Sequence, residues 1–315
     1  MRIQIQKRLE LESIKGFKNI KDQLKNPVVC IGNFDGVHLG HAGIAGTAVR
    51  RAREFGGVAV ALTFRPHPRA VLGAGAEPCL LTTYDERNAL LAAQGIDVVV
   101  EEPFGRELSE MAYEDFFGVV LKEKIGARRI VVGYDFAFGR GRGGHLGELE
   151  SLCARAGAGL EIVQARHEDG AAVSSTRIRK LLAAGDVQSG ARLLGREFFY
   201  KGIVIKGEGR GRQLGFPTAN LLISEGKLAL PQGVYATKTV LSGEQPCLSA
   251  TYIGARPTFE GKTVVVETHL LDRDIDLYGS LIEVRFVRHI RGEQKFDGME
   301  ALKRQIAVDI SQSRT

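Results

Sequence analysis

The sequence predicts two folded regions in succession: a parallel α/β sheet over residues 1–187, then a small antiparallel β-barrel with a terminal helix over residues 188–315. Three observations carry this reading. Through the first half, short Val/Ile/Leu-rich runs alternate with amphipathic stretches of helical period, the pattern of parallel strands with helices on both faces. Past residue 185 the pattern changes to strand-like segments at short spacing, punctuated by Gly and Pro, which suits a small barrel. A chain of 315 residues, 44% hydrophobic and 25% charged, is also long enough for about two cores.

In the first region the expected strands are 28–31, 58–63, 97–100, 129–132 and 160–163, with helices at 41–55, 84–94, 113–124 and 148–156 between them. A helix at 176–184 follows, with Ser174 and Ser175 as candidate N-caps and Gly185 as its stop signal. The domain boundary is expected within 185–190. The second region carries strands at 198–205, 233–240, 247–253, 263–271 and 281–287, and a helix at 299–310 closes it.

Composition narrows the function. Residues 1–23 mix charges with single apolar residues, which argues against a signal peptide, and no later run approaches a membrane span. Cys30, Cys79, Cys153 and Cys247 are isolated, so neither a disulfide framework nor a zinc ribbon is indicated, and a cytoplasmic protein is expected. The net charge of +6 is compatible with nucleic acid, or with an enzyme whose ligands all carry phosphate. Charge alone does not choose, but the basic residues are spread along the chain rather than concentrated in one block, which weakens the nucleic-acid reading. The expected partners are small-molecule substrates, with neither nucleic acid nor membrane, and a monomer or weak homo-oligomer is expected.

The first candidate site is Gly32-Asn33-Phe34-Asp35-Gly36-Val37-His38-Leu39-Gly40-His41, which follows the first strand and opens the first helix. Ligands bind at the carboxyl ends of parallel strands, glycines let backbone N–H groups approach a phosphate, and a helix N-terminus adds positive potential. His38 and His41 share a helix face and are placed to stabilise charge growing on a phosphoryl group. A bare histidine pair would read as a solvated helix start, and the Gly-x-Phe-Asp-Gly context turns it toward an anion. A zinc site lacks a third ligand.

Ser174-Ser175-Thr176-Arg177-Ile178-Arg179 is a second phosphate candidate, although alone it reads only as a good N-cap followed by surface arginines. Two loops at strand ends, Thr63 to Pro68 and Gly133 to Gly139, carry Phe64, Phe136 and Phe138, which could wall a pocket for a flat ring or belong to the core.

In the second region, Lys206 to Gly215 is a glycine-rich basic loop with Gly207, Gly209, Gly211 and Gly215, suited to wrapping a polyphosphate but without the ending of a P-loop. Thr218 and Asn220 follow, two apart, so an extended segment would aim both at one side, either as oxygens for Mg²⁺ or as part of a plain Pro-Thr turn. Glu267 is the one acid in the apolar run from Val264 to Leu271. It either faces solvent with His269 or accepts a proton from a hydroxyl.

Taken in order, Gly32 to His41, Thr63-Phe64-x-Pro-His-Pro, Gly133-x-Asp-Phe-x-Phe-Gly and Ser-Ser-Thr-x-Ile-Arg resemble the bacterial bifunctional riboflavin kinase/FMN adenylyltransferase (FAD synthetase) family. So do Gly211 to Asn220, Pro231 to Tyr235, Ile253 to Phe259, Val266 to His269 and Arg291 to Phe296, and the resemblance runs from about Val28 to Asp309. It implies an N-terminal Rossmann-like nucleotidyltransferase domain and a C-terminal β-barrel flavin kinase domain. Riboflavin would be phosphorylated to FMN, and FMN adenylylated to FAD with release of pyrophosphate.

The resemblance further implies that the loop containing Gly32, Phe34, Asp35, Gly36 and Gly40 binds ATP together with Ser175 and Thr176, with His38, His41 and Arg179 acting in catalysis. Phe64, Asp135 and Phe138 would hold FMN, with Phe116 as a further wall. In the kinase half the glycine loop would take ATP, Thr218 and Asn220 would contact Mg²⁺–ATP, Glu267 would be the base and Arg291 would lie near the flavin. Two features depart from the family pattern: Tyr252 stands where Asn is expected, and the first nine or so residues form an extra lead. An aminoacyl-tRNA synthetase-like enzyme would share a His-x-Gly-His element, but the chain has no Lys-Met-Ser-Lys-Ser-like loop. An RNA-binding role for Gly139 to Gly144 lacks the interleaved aromatics of single-strand binders.

Overall fold

The computed structural model describes residues 11–73, 79–207, 209–258 and 261–314, so the N-terminal lead, Glu208 and Phe259 lie outside the described residues. The chain divides into two compact units, Met1–Val173 and Ser174–Thr315.

The first unit runs β1 (Glu12–Lys15), β2 (Val28–Ile31), α1 (Leu39–Glu54), β3 (Ala59–Arg65), α2 (Pro68–Val71), α3 (Tyr84–Ala93), β4 (Val98–Pro103), α4 (Arg106–Ser109) and α5 (Tyr113–Asp115). α5 continues into a π-wound stretch, Phe116–Lys124, followed by β5 (Arg129–Gly133), α6 (Leu146–Arg155), β6 (Gly159–Val163) and a hairpin of β7 (His167–Glu168) and β8 (Ala171–Ala172). The sheet has strand order β1-β4-β3-β2-β5-β6 with every pair parallel.

Its central strands are buried on both faces, which is why they read as unbroken apolar runs. Val29, Ile31, Val60, Leu62, Ile130 and Val132 turn to one face, where Phe116, Phe117, Val120, Leu121 and Leu149 cover them. Val28, Cys30, Ala59, Ala61 and Val131 turn to the other, beneath Ala45, Ala48 and Ala52 of α1. Fully burying a Val or Leu stabilises by about 1.5–3 kcal/mol, so these two layers fix the sheet. Burial also pushes the Cys30 thiol up to about 12 and the Cys153 thiol up to about 11, which keeps both protonated. The edge strand β1 was not anticipated from sequence, because its exposed residues form no apolar run and only its backbone ladder with β4 defines it.

After β2 the chain lays β3 and β4 on one side, while β5 and β6 lie on the other. The carboxyl ends of β2 and β5 therefore flank the point where the winding reverses, the ligand crevice of such sheets.

The second unit contains α7 (Ser175–Ala183), α8 (Val187–Leu194), β9 (Phe198–Ile205), α9 (Arg210–Gln213), β10 (Ala219–Leu221), β11 (Gly233–Leu241), β12 (Cys247–Thr258), β13 (Gly261–Leu270), β14 (Leu281–Arg291) and α10 (Met299–Ser313). The strands close into an antiparallel barrel, β10-β13-β12-β11-β14-β9. Ser174 caps α7 through its hydroxyl, and Gly185 (φ +83°) ends it. The expected boundary at 187/188 lies at the start of α8, a helix that the sequence reading did not anticipate. Gly190 belongs inside that helix because a Cβ there would stand 2.6 Å from Leu182 of α7, so the residue serves close helix packing.

One part of the barrel interior is aromatic, with Tyr200 and Tyr235 set edge-on to Phe286 at 5.0 and 5.4 Å. Another is a buried hydroxyl network. Thr237 bonds Thr251 at 2.7 Å, Thr251 donates to Thr268 at 2.8 Å, and Thr239 bonds Ser249 at 2.8 Å. These polar groups tolerate burial because they satisfy one another. Among the described residues, no helix is long and apolar enough to cross a membrane.

Candidate active sites

In the first unit the segment after β2 is a tight loop, with Phe34 at φ +51°, Gly36 at +83° and Val37 at +37°. Asp35 holds it in place. Its buried carboxylate accepts from the Leu81 N–H at 2.9 Å and the Thr82 N–H at 3.2 Å, and the Gly36 N–H donates to the Thr82 hydroxyl at 3.1 Å. Asp35 thus shapes the loop that the sequence assigned to nucleotide, with its carboxylate directed to these amides.

His38 is the N-cap of α1, its Nδ1 accepting from the His41 N–H at 3.3 Å. The two imidazoles stack with centroids 3.7 Å apart and planes 15° apart, and Phe34 meets His41 edge-on at 5.3 Å. The structure therefore brings the two histidines together as one stacked pair at the helix start, where positive potential favours an anion.

The candidate flavin residues separate into two groups. Phe116 and Phe138 are buried in the hydrophobic core, where Phe138 packs on Phe116 at 5.8 Å and stacks on Phe136 at 5.3 Å. Phe64, at the end of β3, and Phe136, after β5, are only partly buried, and Asp135 is exposed. Ring surface accessible to a ligand thus belongs to Phe64 and Phe136, with Phe116 and Phe138 supporting from behind.

The second unit holds the Ser175-Thr176-Arg179 turn in the first turns of α7, where the Ser174 hydroxyl accepts from the Arg177 N–H at 3.3 Å. Its barrel carries two cavities, of about 480 and about 520 Å³. Glu267, Tyr252, Arg291 and Glu293 line the first, and Lys206, Gly207, Arg212 and Arg273 line the second. Gly209, Thr218 and Asn220 line both. The glycine loop closes tightly on this shared wall. A Cβ on Gly207 would collide with the Asn220 amide, and one on Gly211 would stand 2.5 Å from the Phe216 carbonyl and 3.1 Å from the Thr218 hydroxyl.

Glu267 lies half-buried on β13, in register with Asn220 of β10 on one side and Tyr252 of β12 on the other. Next to it, His269 Nδ1 donates to the Pro217 carbonyl at 2.8 Å, which ties the turn before Thr218 to the strand that carries Glu267. Arg291 forks onto Asp309 of α10, with Nε to Oδ1 at 2.9 Å and Nη2 to Oδ2 at 2.7 Å, and Gln305 donates to the same carboxylate at 2.9 Å. The Tyr252 hydroxyl donates to Glu293 at 3.2 Å. Burial, reinforced by the Glu293 and Glu267 carboxylates, raises the Tyr252 phenol above its ordinary range.

The geometry is thus a stacked histidine pair at a helix start and one pair of adjoining cavities with a carboxylate beside the common wall. A family model described as FAD synthetase matches residues 20–177, and one described as Riboflavin kinase matches residues 194–315. A relative from Bacillus subtilis (strain 168), named bifunctional riboflavin kinase/FMN adenylyltransferase, is 35% identical over 295 residues, 92% of each chain. The chain belongs to the bifunctional riboflavin kinase/FMN adenylyltransferase family.

Relatives of the same name from Escherichia coli (strain K12) and Buchnera aphidicola subsp. Acyrthosiphon pisum (strain APS) are 34% and 33% identical, each match covering 95% of this chain and 96% of the relative. A solved Streptococcus pneumoniae chain, titled a macrolide-efflux protein, superposes with TM-score 0.88 at 27% identity, covering 97% of this chain and 99% of that one.

Sequence reasoning missed partners of the candidate site residues: Thr82, which holds Asp35 in the first unit, and Asp309, which holds Arg291 in the second. Each partner pair is far apart in the chain, such as Asp35 with Thr82 and Arg291 with Asp309, and no local spacing signals it.

Proposed function

We propose that the second unit transfers the γ-phosphoryl group of ATP to the terminal ribityl hydroxyl of riboflavin, and that the first unit then joins AMP from a second ATP to the FMN phosphate. The observation that supports this most is the pair of adjoining cavities. One is lined by Lys206, Arg212 and Arg273, with Asp274 and Asp276 beside them, and by the glycine loop that would take a polyphosphate; the other holds Glu267, and transfer would cross the wall at Thr218 and Asn220.

In the kinase step Glu267 takes the hydroxyl proton as the oxygen attacks the γ-phosphorus and ADP leaves. Arg291, oriented by Asp309, lines the acceptor cavity and helps seat the flavin. Thr218 and Asn220 offer neutral oxygens beside the glycine loop, a donor set that fits Mg²⁺ already carrying phosphate and water ligands. Among the described residues no cluster of three or more His, Cys, Asp or Glu side chains forms a metal site, so phosphates would supply most of the ligands. Bound there, the ion would neutralise phosphate charge.

In the adenylyl step the FMN phosphate is already an anion and attacks the α-phosphorus of ATP directly, expelling pyrophosphate. His38 and His41 stabilise the charge that grows on the phosphoryl oxygens. A protein with isolated cysteines and these substrates would work in the cytoplasm.

Incubation with riboflavin, ATP and Mg²⁺, with the three flavins resolved over time, tests the reading. FMN should rise first and FAD should follow. FMN that accumulates without FAD would overturn the assignment of the first unit.

A further inference from the structure

Arg87 lies on α3, yet its side chain is only 4% exposed and reaches three separate strand ends. Nη1 donates to the Phe64 carbonyl at 3.0 Å and to the Asn33 carbonyl at 3.3 Å, while Nη2 donates to Glu101 of β4 at 2.8 Å. Asn33 belongs to the loop that carries His38 and His41, and Phe64, partly buried near the end of β3, leads into the loop that follows that strand. One guanidinium therefore grips the first loop and the strand end that leads into the second.

The surroundings are built to keep it there. The other oxygen of Glu101 receives Arg65 at 3.3 Å. Both guanidiniums lie against the Tyr84 ring, Arg65 at 4.8 Å and Arg87 at 4.9 Å, and the Tyr84 hydroxyl accepts from the His67 N–H at 2.9 Å. The Thr63 hydroxyl also donates to the Asn33 carbonyl, at 3.2 Å, so the loop and the end of β3 meet at that oxygen.

A buried ion pair is a poor way to gain stability, since well-packed apolar residues of similar volume usually do as well or better. What a guanidinium supplies is a rigid planar fork that can serve two carbonyls and a carboxylate in one fixed geometry. Here that geometry sets the distance between the loop and the strand end.

We infer that Arg87, held by Glu101, is a positioning residue for adenylyl transfer that fixes the phosphate loop relative to the flavin-facing end of β3. The inference rests on the adenylyl-transfer reading of the first unit. In-line attack needs the FMN phosphate and the α-phosphorus aligned closely, and a misplacement of about 1 Å can cost about 10²-fold in rate.

The test is Arg87→Lys in the full chain, which keeps the charge but replaces the fork with a single ammonium. Adenylyl transfer from supplied FMN should lose about 10–100-fold in kcat/KM, with KM rising for FMN and ATP alike. Riboflavin phosphorylation by the same preparation should stay at the parental level, and the melting temperature close to it. Phe64→Ala, which alters the strand end only, should raise KM for FMN alone.

Parental kcat and KM values in folded Arg87→Lys, or a lower melting temperature as the only change, would overturn the inference. If Arg87→Lys fails to fold, Glu101→Gln decides, because it keeps size and hydrogen bonding while removing the anchoring charge. A several-fold rise in both KM values is expected, and parental constants there would also overturn it. An unsubstituted chain that makes no FAD from FMN would instead remove the reading on which the inference rests.

Discussion

The two halves of this chain meet opposite chemical demands, and their sites differ accordingly. In the first unit the nucleophile arrives as an anion, and the site is made of loop backbone, a stacked histidine pair and buried anchors. The carboxylate nearest those histidines in sequence, Asp35, is committed to the amides of Leu81 and Thr82. In the barrel the nucleophile is a neutral hydroxyl, and there a carboxylate stands in a cavity wall, flanked by Asn220 and Tyr252. The difference teaches that an acid in a phosphoryl-transfer site is to be judged by where its oxygens are directed. Asp35 and Glu267 are the same functional group in different surroundings.

This contrast can be broken most severely at Glu267. Glu267→Gln keeps the shape and removes the proton acceptor, so riboflavin phosphorylation should fall by about 10²–10⁴, while FAD formation from supplied FMN stays parental. Equal losses in both half-reactions of a folded variant would show that the sites are not chemically separate. The next effect in size belongs to the histidine pair. Replacing His38 and His41 by Ala should reduce adenylyl transfer by about 10²–10³ and leave phosphorylation intact, measured on one preparation with each substrate in turn. Unchanged FAD production would make the stacked pair only the cap of α1.

The strands that proved legible in the sequence are those buried on both faces, such as 28–31 and 129–132, because burial on both faces leaves no polar alternation. The loops at their carboxyl ends were legible too, through glycines and aromatic residues at strand ends. β1 was hidden because backbone pairing alone defines it, and α8 because Gly190, a packing residue against Leu182, has the appearance of a linker glycine. Among the candidate residues, Glu267 was singled out by the cost of an acid in an apolar strand, and its place in a cavity wall came only with the fold. Phe138 could not be sorted between wall and core, since its loop position suits both and only its packing on Phe116 and Phe136 decides. Arg87 and Asp309 were invisible for a different reason: their meaning lies wholly in partners that the fold brings from distant strands, Glu101 for one and Arg291 for the other.

The central claim is that one chain carries two chemically distinct sites, each sufficient for its own step. Mixing the Glu267→Gln chain with the His38→Ala/His41→Ala chain tests this most directly, with riboflavin, ATP and Mg²⁺ supplied and FAD followed over time. The first variant alone should leave riboflavin largely unconverted, and the second alone should stop at FMN. The mixture should form FAD after a lag, as FMN released by one chain is adenylylated by the other. A mixture that makes no more FAD than the two variants make separately would contradict the account.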